Sequence, residues 1–415
     1  MSPRASRGVV VTGMGAVSAF GWGLDALAPV FRGETAIALH RLGDVPGASE
    51  ILAARLDSHL PSDIFDRRVE DADRVTQMAV YSANEAVQQS GIKTDSIGMV
   101  TWGTGYGGAA TMDEAYTRWL WGKADLTSKV SPLTVPKAMT HASAAGIAAW
   151  LGLPCPVMTY SCACASSAVA IGEAFLAIQQ GRCEVALVGG SEALIAPGVV
   201  RAWEALAALA KPNEHVQWQG PFDALRNGLV LGEGAGCMVL ESEEHAKRRS
   251  ANILADCLGY AQINDPQCVT HPQIAPQVKA MQQALKHAGL QPEDVHYVNA
   301  HATGTRAGDA SEIAALNEVF GHTSARISST KGATGHLMGA AGVMESILGI
   351  QASRWGYPPC AALNIPDNTI AFSLLRQACP AKSTEIFLTN SFAFGGANVS
   401  LVFRNHSQSD SSHDA

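Results

Sequence analysis

A mixed α/β fold made of two similar halves is what this sequence predicts, on three observations. A helix pattern, a glycine stop and a following strand recur: AVQQSGIKTDSIGMVTWGTG at Ala86–Gly105 is echoed by ALKHAGLQPEDVHYVNAHATG at Ala284–Gly304, with Gly91 and Gly289 offset by 198 residues. Short apolar strands alternate with helical stretches of about 10–15 residues, the pattern of a largely parallel or mixed sheet with helices on its faces. Apolar residues make up 47% of the 415-residue chain and charged ones 16%, with 40 glycines, so a large interior with many close backbone approaches is expected.

The elements follow in chain order. A strand over Gly8–Thr12 opens the chain. An amphipathic helix carrying Val75, Met78, Ala79, Ala83, Ala86 and Val87 on one face stops at Gly91, where a helix end favours φ > 0. From Ala165, ASSAVAIGEAFLAIQQG spaces Val169, Gly172, Phe175, Leu176 and Gln179 as a helix. Strands are expected at Val185–Val188, Met238–Leu240 and Arg326–Ser328. A second amphipathic helix with Val278, Met281 and Leu285 stops at Gly289. EIFLTNSF and NVSLVF, joined through Gly395-Gly396, read as a hairpin. The halves divide near residue 250, giving units 1–250 and 251–406, and the polar stretch after Arg404 predicts a disordered tail over 407–415.

A net charge of −8 argues against nucleic-acid binding, which needs clustered Lys and Arg. Lys247-Arg248-Arg249 reads as a solvated helix end. No apolar run approaches the roughly 20 residues that span a bilayer, and the N-terminal apolar stretch is broken by Gly13, Gly15, Gly21 and Gly23, unlike a secretory signal. Nine cysteines without paired spacing fit a reducing compartment, so a soluble, cytoplasmic protein is expected. VVVTGMGAVS has a strand before Gly-x-Gly, but Ser18 replaces the third small residue and Asp25 comes too early to bind a ribose. GTGYGG at Gly103–Gly108 fails similarly, and no GxxxxGK[ST] loop is present.

TYSCACASSAV at Thr159–Val169 holds two cysteines. A metal clip would need further ligands at coordination spacing, and a redox pair usually spaces its thiols C-x-x-C. The nucleophile reading has a physical case. Cys164 stands at the mouth of the helix that follows, where unpaired N–H groups and the dipole favour thiolate and could hold an oxyanion. Cys162, in the incoming strand, reads as an ordinary buried cysteine. A thiolate nucleophile needs proton handling or electrostatic partners. His301 in NAHATGTRAGD and His336 in SSTKGATGHLMGAAG each follow a short strand among small residues. Lys331 is a third candidate, in an otherwise uncharged stretch.

With these residues the chain resembles the β-ketoacyl-acyl-carrier-protein synthases of the elongating Cys-His-His kind, in the thiolase superfamily. The resemblance runs from VVVTGMGAVSAFG through PFDALRNGLVLGEGAGCMVLE and STKGATGHLMGAAG to NSFAFGGANVSLVF. It implies a thiolase-like fold of two duplicated βαβαβαββ halves in five α-β-α-β-α layers. It also implies that Cys164 accepts the acyl group, that His301 and His336 support decarboxylation of a malonyl thioester, and that Lys331 orders them. The backbone N–H groups of Cys164 and Phe394 would form the oxyanion hole. Thr303 and Thr305 would hold the pantetheine arm, while Phe392 and Phe394 would lie in the substrate site, Phe394 as a gate to the acyl pocket. Asn299, Glu345 and Asn398 match positions around a structural cation in relatives, and from the residues alone read as a buried polar network. No catalytic metal or cofactor is implied, the substrates riding on the phosphopantetheine of an acyl carrier protein. The implied assembly is a homodimer, or a heterodimer with a chain-length-factor-like subunit.

Three positions depart from the family pattern. Ala302 replaces the Gly of HGTGT, Tyr160-Ser161-Cys162 replaces smaller residues before the nucleophile, and Tyr106 stands where long-chain elongating relatives carry a smaller aliphatic. Tyr106 is expected to reshape the acyl pocket toward short, flat or unsaturated chains, which tilts the pathway from fatty-acid elongation toward polyketide or polyene synthesis. A thiolase is disfavoured because Cys360 and Cys379 are not followed by x-Gly. A Cys-His-Asn initiating synthase is disfavoured by His336, and a non-catalytic scaffold subunit by the intact Cys164 and histidines.

Overall fold

The computed structural model describes residues 7–42, 50–61, 64–121, 130–211, 218–267, 271–381 and 385–406. The stretch 407–415, predicted to be disordered, lies outside them. The strands of one large mixed sheet are β1 (Val9–Ser18), β2 (Met99–Gly103), β3 (Val157–Tyr160), β4 (Val185–Glu192), β5 (Gly234–Ser242), β6 (Ala255–Asn264), β7 (Tyr297–Asn299), β8 (Arg326–Ser328), β9 (Ser373–Leu374), β10 (Ile386–Phe392) and β11 (Ala397–Asn405). They lie in the order β9-β8-β7-β10-β11-β6-β1-β5-β4-β2-β3, and Gly21–Trp22 adds a short pairing to β1.

Outward from the antiparallel pair β1–β6 the two wings repeat. The series β5, β4, β2, β3 on one side matches β11, β10, β7, β8 on the other, with two antiparallel and then two parallel pairings in each. Even the register shifts correspond, between Val11 and Gly13 in β1 and between Cys257 and Gly259 in β6.

Six helices complete the layers: α1 (Arg74–Ser90), α2 (Ala142–Leu151), α3 (Ser166–Gln179), α4 (Ile274–Ala288), α5 (Arg306–Phe320) and α6 (Ala341–Trp355). Helices α3 and α6 pack on each other between the wings, while α1 and α2 cover one outer face and α4 and α5 the other. The result is the five-layered α-β-α-β-α arrangement. Helices α1 and α4 end on Gly91 (φ 62°) and Gly289 (φ 70°), left-handed caps that glycine adopts without a Cβ penalty. The Gly-x-Gly of β1 has a packing purpose. A Cβ on Gly13 would stand 2.2 Å from Ala86 O of α1, just as one on Gly259 would stand 2.3 Å from Ala284 O of α4. The outer helices therefore press onto bare strand backbone at equivalent points, and no phosphate loop is formed.

Lys247 and Arg248, with side chains 67% and 55% exposed, form the solvated helix end expected of the basic triplet, and only Arg249 departs from it. Lys247 and Arg248 pair with Glu243 and Glu184, whereas Arg249 Nε reaches the fully buried Glu241 at 2.9 Å. Glu241 also binds His245 Nδ1 at 2.6 Å, so this cluster neutralises a carboxylate that packing has taken from water.

Candidate active site

The nucleophile turn is built by the step from β3 into α3. Cys164 precedes the helix N-cap Ala165, and is 4% exposed. Ala163 sits at φ 48°, a left-handed angle that costs any residue with a Cβ and that a small side chain bears best. Ser166 braces it: its Oγ accepts from Cys162 N at 2.9 Å and donates to Ala163 O at 2.6 Å. Cys162 lies beyond the end of β3 and is half-buried, in contrast to the buried strand position expected of it.

The second half brings its histidines to the same point. His301 follows β7, and His336 follows a helical turn, Lys331–Thr334, that comes after β8. His336 Nε2 lies 3.0 Å from Cys164 Sγ, and the His301 and His336 rings stand edge to face with centroids 5.3 Å apart. The Met338 backbone N–H donates to His336 Nδ1 at 3.3 Å. A ring nitrogen that accepts leaves the proton of a neutral imidazole on the other nitrogen, so Nε2–H faces the sulfur. Burial first, then the Lys331 charge, holds both histidines well below the ordinary imidazole pKa; His336 adds to the effect on His301. They are neutral donors.

Burial pushes the Cys164 thiol up to about 12, opposed by Lys331 and by the backbone N–H groups of Phe394 and Cys164, and reinforced by Glu192. The helix mouth was expected to favour thiolate. Desolvation of a nearly closed site outweighs it, so the resting sulfur is a thiol. The same two N–H groups face the sulfur from opposite halves of the chain.

A cavity of about 260 Å³ opens onto this point, lined among others by Cys164, His301, Thr303, Thr305, His336, Phe392, Phe394 and Asn398. Thr303 and Thr305 share a hydroxyl contact of 3.1 Å at its wall. Trp203 stacks on Phe394 with ring centroids 6.3 Å apart. Lys331, Asn299 and Glu345 lie behind the wall. Lys331 Nζ pairs with Glu345 Oε1, both side chains buried, and burial still raises the Glu345 carboxyl to about 7. Asn299 donates weakly to Thr330 Oγ1 at 3.4 Å, and its Oδ1 and Glu345 Oε2 have no hydrogen-bond partner among the described residues. Asn398 takes no part in that network; its amide donates to Gly396 O at 2.9 Å. Tyr106 is 52% exposed and does not line the cavity.

Two carboxylates that shape the site went unnoticed in the sequence reading. Glu312 accepts from the backbone N–H groups of His301 (2.8 Å) and Ala302 (2.6 Å). Asp309 accepts from Thr303 (2.9 Å) and Gly304 (3.0 Å). They stand one helical turn apart on α5 and fasten the HATG loop residue by residue. Ala302 has no positive φ, so the loop takes alanine without strain. The signal was GDASE, two acids at i, i+3 directly after the histidine motif, which by residue type alone reads as a solvated first turn.

A buried thiol under two neutral imidazole donors, with two backbone N–H groups aimed at the sulfur and a cavity opening onto it, defines an acyl-transferring condensing enzyme on a duplicated α/β frame. The comparisons agree. Residues 6–246 match the model of the β-ketoacyl synthase N-terminal domain and 254–362 that of its C-terminal domain, so the chain belongs to the β-ketoacyl synthase family. It is 37% identical over 417 residues to nodulation protein E of Rhizobium meliloti (strain 1021), covering 96% of this chain and 99% of that one. It is 34% identical over 416 residues to 3-oxoacyl-(acyl-carrier-protein) synthase 2 of Staphylococcus aureus (strain COL), covering 96% and 98%. Among solved structures, the ishigamide ketosynthase/chain length factor superposes with a TM-score of 0.88 at 28% identity, covering 97% of this chain and 100% of that one. The fold is thus the thiolase-like one, and the protein is an acyltransferase of the ketosynthase kind that serves condensation in fatty-acid or polyketide synthesis.

Proposed function

We propose that the chain catalyses decarboxylative Claisen condensation between an acyl group on Cys164 and a malonyl thioester on an acyl carrier protein. The observation that carries this reading is the 3.0 Å approach of His336 Nε2 to Cys164 Sγ in a pocket where both histidines are neutral. In the first half-reaction the sulfur attacks the acyl thioester, the carrier thiol leaves with the proton, and the tetrahedral oxyanion rests on the N–H groups of Cys164 and Phe394. In the second, the malonyl carboxyl–carbon bond breaks and carbon dioxide departs. The electron pair passes into the thioester as an enolate, whose oxygen is held by the imidazole N–H donors of His301 and His336. The enolate carbon attacks the acyl-cysteine carbonyl, and collapse expels the Cys164 thiolate with a 3-oxoacyl product two carbons longer; the thiolate takes up a proton from solvent to return to the thiol. Neutral donors suit this step, because an imidazolium would hand its proton to the enolate and end the reaction at the decarboxylated ester. Burial keeps them neutral, and the charge of Lys331, paired with Glu345, adds to it. The step draws on no redox or nucleotide cofactor, since loss of carbon dioxide drives it.

Carbon dioxide release from malonyl carrier, with and without an acyl primer, tests the assignment. Release that depends on primer and on Cys164 is expected; no release from the primed enzyme would overturn it. The cavity is small for a chain that must also admit pantetheine, against roughly 300–1,000 Å³ for common ligand sites. This supports short or flat acyl groups and moves the selecting residues from Tyr106 to the Trp203–Phe394 stack. Efficient loading of a hexadecanoyl group would contradict it.

The chain is proposed to act as the catalytic half of a dimer with a homologous subunit, as in the ishigamide ketosynthase/chain length factor. Strand β3 is the outermost strand at one end of the sheet and runs directly into the nucleophile turn, so its edge, unpaired among the described residues, is the natural place for that subunit.

A further inference from the structure

Glu192, the last residue of β4, is fully buried and makes no ion pair among the described residues. Its carboxylate instead collects four neutral donors. Oε2 accepts from Gly105 N at 2.6 Å and Gly339 N at 3.0 Å, while Oε1 accepts from Tyr106 N at 3.1 Å and Thr104 Oγ1 at 3.2 Å. Gly105 and Tyr106 belong to the loop after β2 in the first half; Gly339 belongs to the turn after His336 in the second. The two loops touch so closely that a Cβ on Gly339 would lie 2.6 Å from Gly105 N and 2.7 Å from Thr104 Cα.

The turn held in this way is under strain. Met338 takes φ 47°, and its N–H is the donor that fixes the His336 tautomer. The Gly339 N–H, next in the chain, is anchored on Glu192. The first-half loop also reaches the segment leading into the nucleophile turn, since Gly105 O accepts from Ser161 Oγ at 3.3 Å.

We propose that Glu192 is the positioning residue that joins the two halves at the active site, holding the Met338–Gly339 turn so that His336 keeps its Nε2–H on Cys164 and on the enolate that follows. This rests on the condensation reading above and assigns a role to a group that touches no substrate. It follows that Glu192 matters to the histidine-dependent step more than to acyl loading, where the N–H groups of Cys164 and Phe394 carry the charge.

The test is Glu192→Gln in the full chain. A glutamine keeps the volume but offers one oxygen where two are used, and sets its NH₂ against two of the four donors. Two rates are measured on the same preparation: transfer of an acyl group to Cys164, followed by intact mass, and carbon dioxide release from malonyl carrier by the acylated enzyme. Decarboxylation is expected to fall about tenfold or more, the scale on which loss of an orienting partner acts elsewhere, while loading stays within about threefold. Equal losses in both steps would mark a merely structural residue, and unchanged rates would leave it no role; either overturns the inference. Should Glu192→Gln fail to fold, Thr104→Val removes the hydroxyl donor to Glu192 Oε1, and with it the acceptor of the Gly107 N–H, and is expected to lower decarboxylation about two- to fivefold with loading unchanged. A wild-type enzyme that releases no carbon dioxide would instead remove the condensation reading itself.

Discussion

Position in the turn separates the two cysteines of CAC. Cys164 faces His336 across 3.0 Å, whereas Cys162 is turned into the packing around α3, with its thiol raised by burial. Intact-mass analysis after incubation with acyl carrier should show no adduct on Cys164→Ala and near-normal loading on Cys162→Ala; an adduct surviving the first change would move the nucleophile elsewhere. Ala163 provides a sharper test. At φ 48° a β-branched side chain is resisted far more than alanine, so Ala163→Val should cost about 1–3 kcal/mol of stability, read as a lowered unfolding midpoint, and displace the sulfur. Ala163→Gly should keep loading. Cys164 was legible because a helix with small residues at its mouth shows in residue types. The strain at Ala163 was not, because alanine carries no mark of a positive φ, and the Ser166 brace exists only once the turn has closed.

Helix α5 shows how an element can serve a site without entering it. Its buried face supplies Asp309 and Glu312 to the HATG loop, and burial raises Glu312 to about 7 and Asp309 to about 6 despite their N–H partners. A carboxyl whose folded pKa exceeds its unfolded value of 4.5 binds its proton more tightly in the folded state. Its contribution is therefore fully present below about pH 4.5 and is lost as pH rises toward about 7. Glu312→Gln removes that loss. The stability of the variant relative to wild type should thus climb with pH across this window, by at most about 1.4 kcal/mol per pH unit, and level off above it. Urea unfolding at several pH values measures the difference; a flat line would show that Glu312 titrates alike in both states. Helix α1 and its counterpart α4 were predictable, since an apolar stripe and a terminal glycine are local signals. The two acids of α5 were not, because nothing local tells a solvated first turn from one folded over a loop.

At the scale of the whole molecule the repeat detected between Ala86 and Ala284 proved to be the most visible part of a larger symmetry, in which strand order, pairing sense and register shifts all recur. Most of it was hidden because the strands diverge in length, β7 and β8 holding three residues each against five and four in β2 and β3. One feature of the symmetry is incomplete. In the second half the outer strand β8 is followed by β9 at the sheet edge, while in the first half β3 has no outer neighbour among the described residues. Of the fifteen exposed large apolar side chains among the described residues, nine lie between residues 106 and 158, from Tyr106 to Met158 on β3 itself. An open edge in a stretch of chain rich in exposed apolar side chains invites another chain, and here it leads within four residues to Cys164. Light scattering of the chain expressed alone should give about twice 43.4 kDa if the edge pairs with a second copy. It should give the single mass, rising only on co-expression with a homologous subunit, if the partner is distinct. In either case Met158→Lys, which places a charge on a side chain now 42% exposed, should shift the population toward monomer and lower acyl loading with it. A variant that keeps both its mass and its loading would show that the partner docks elsewhere.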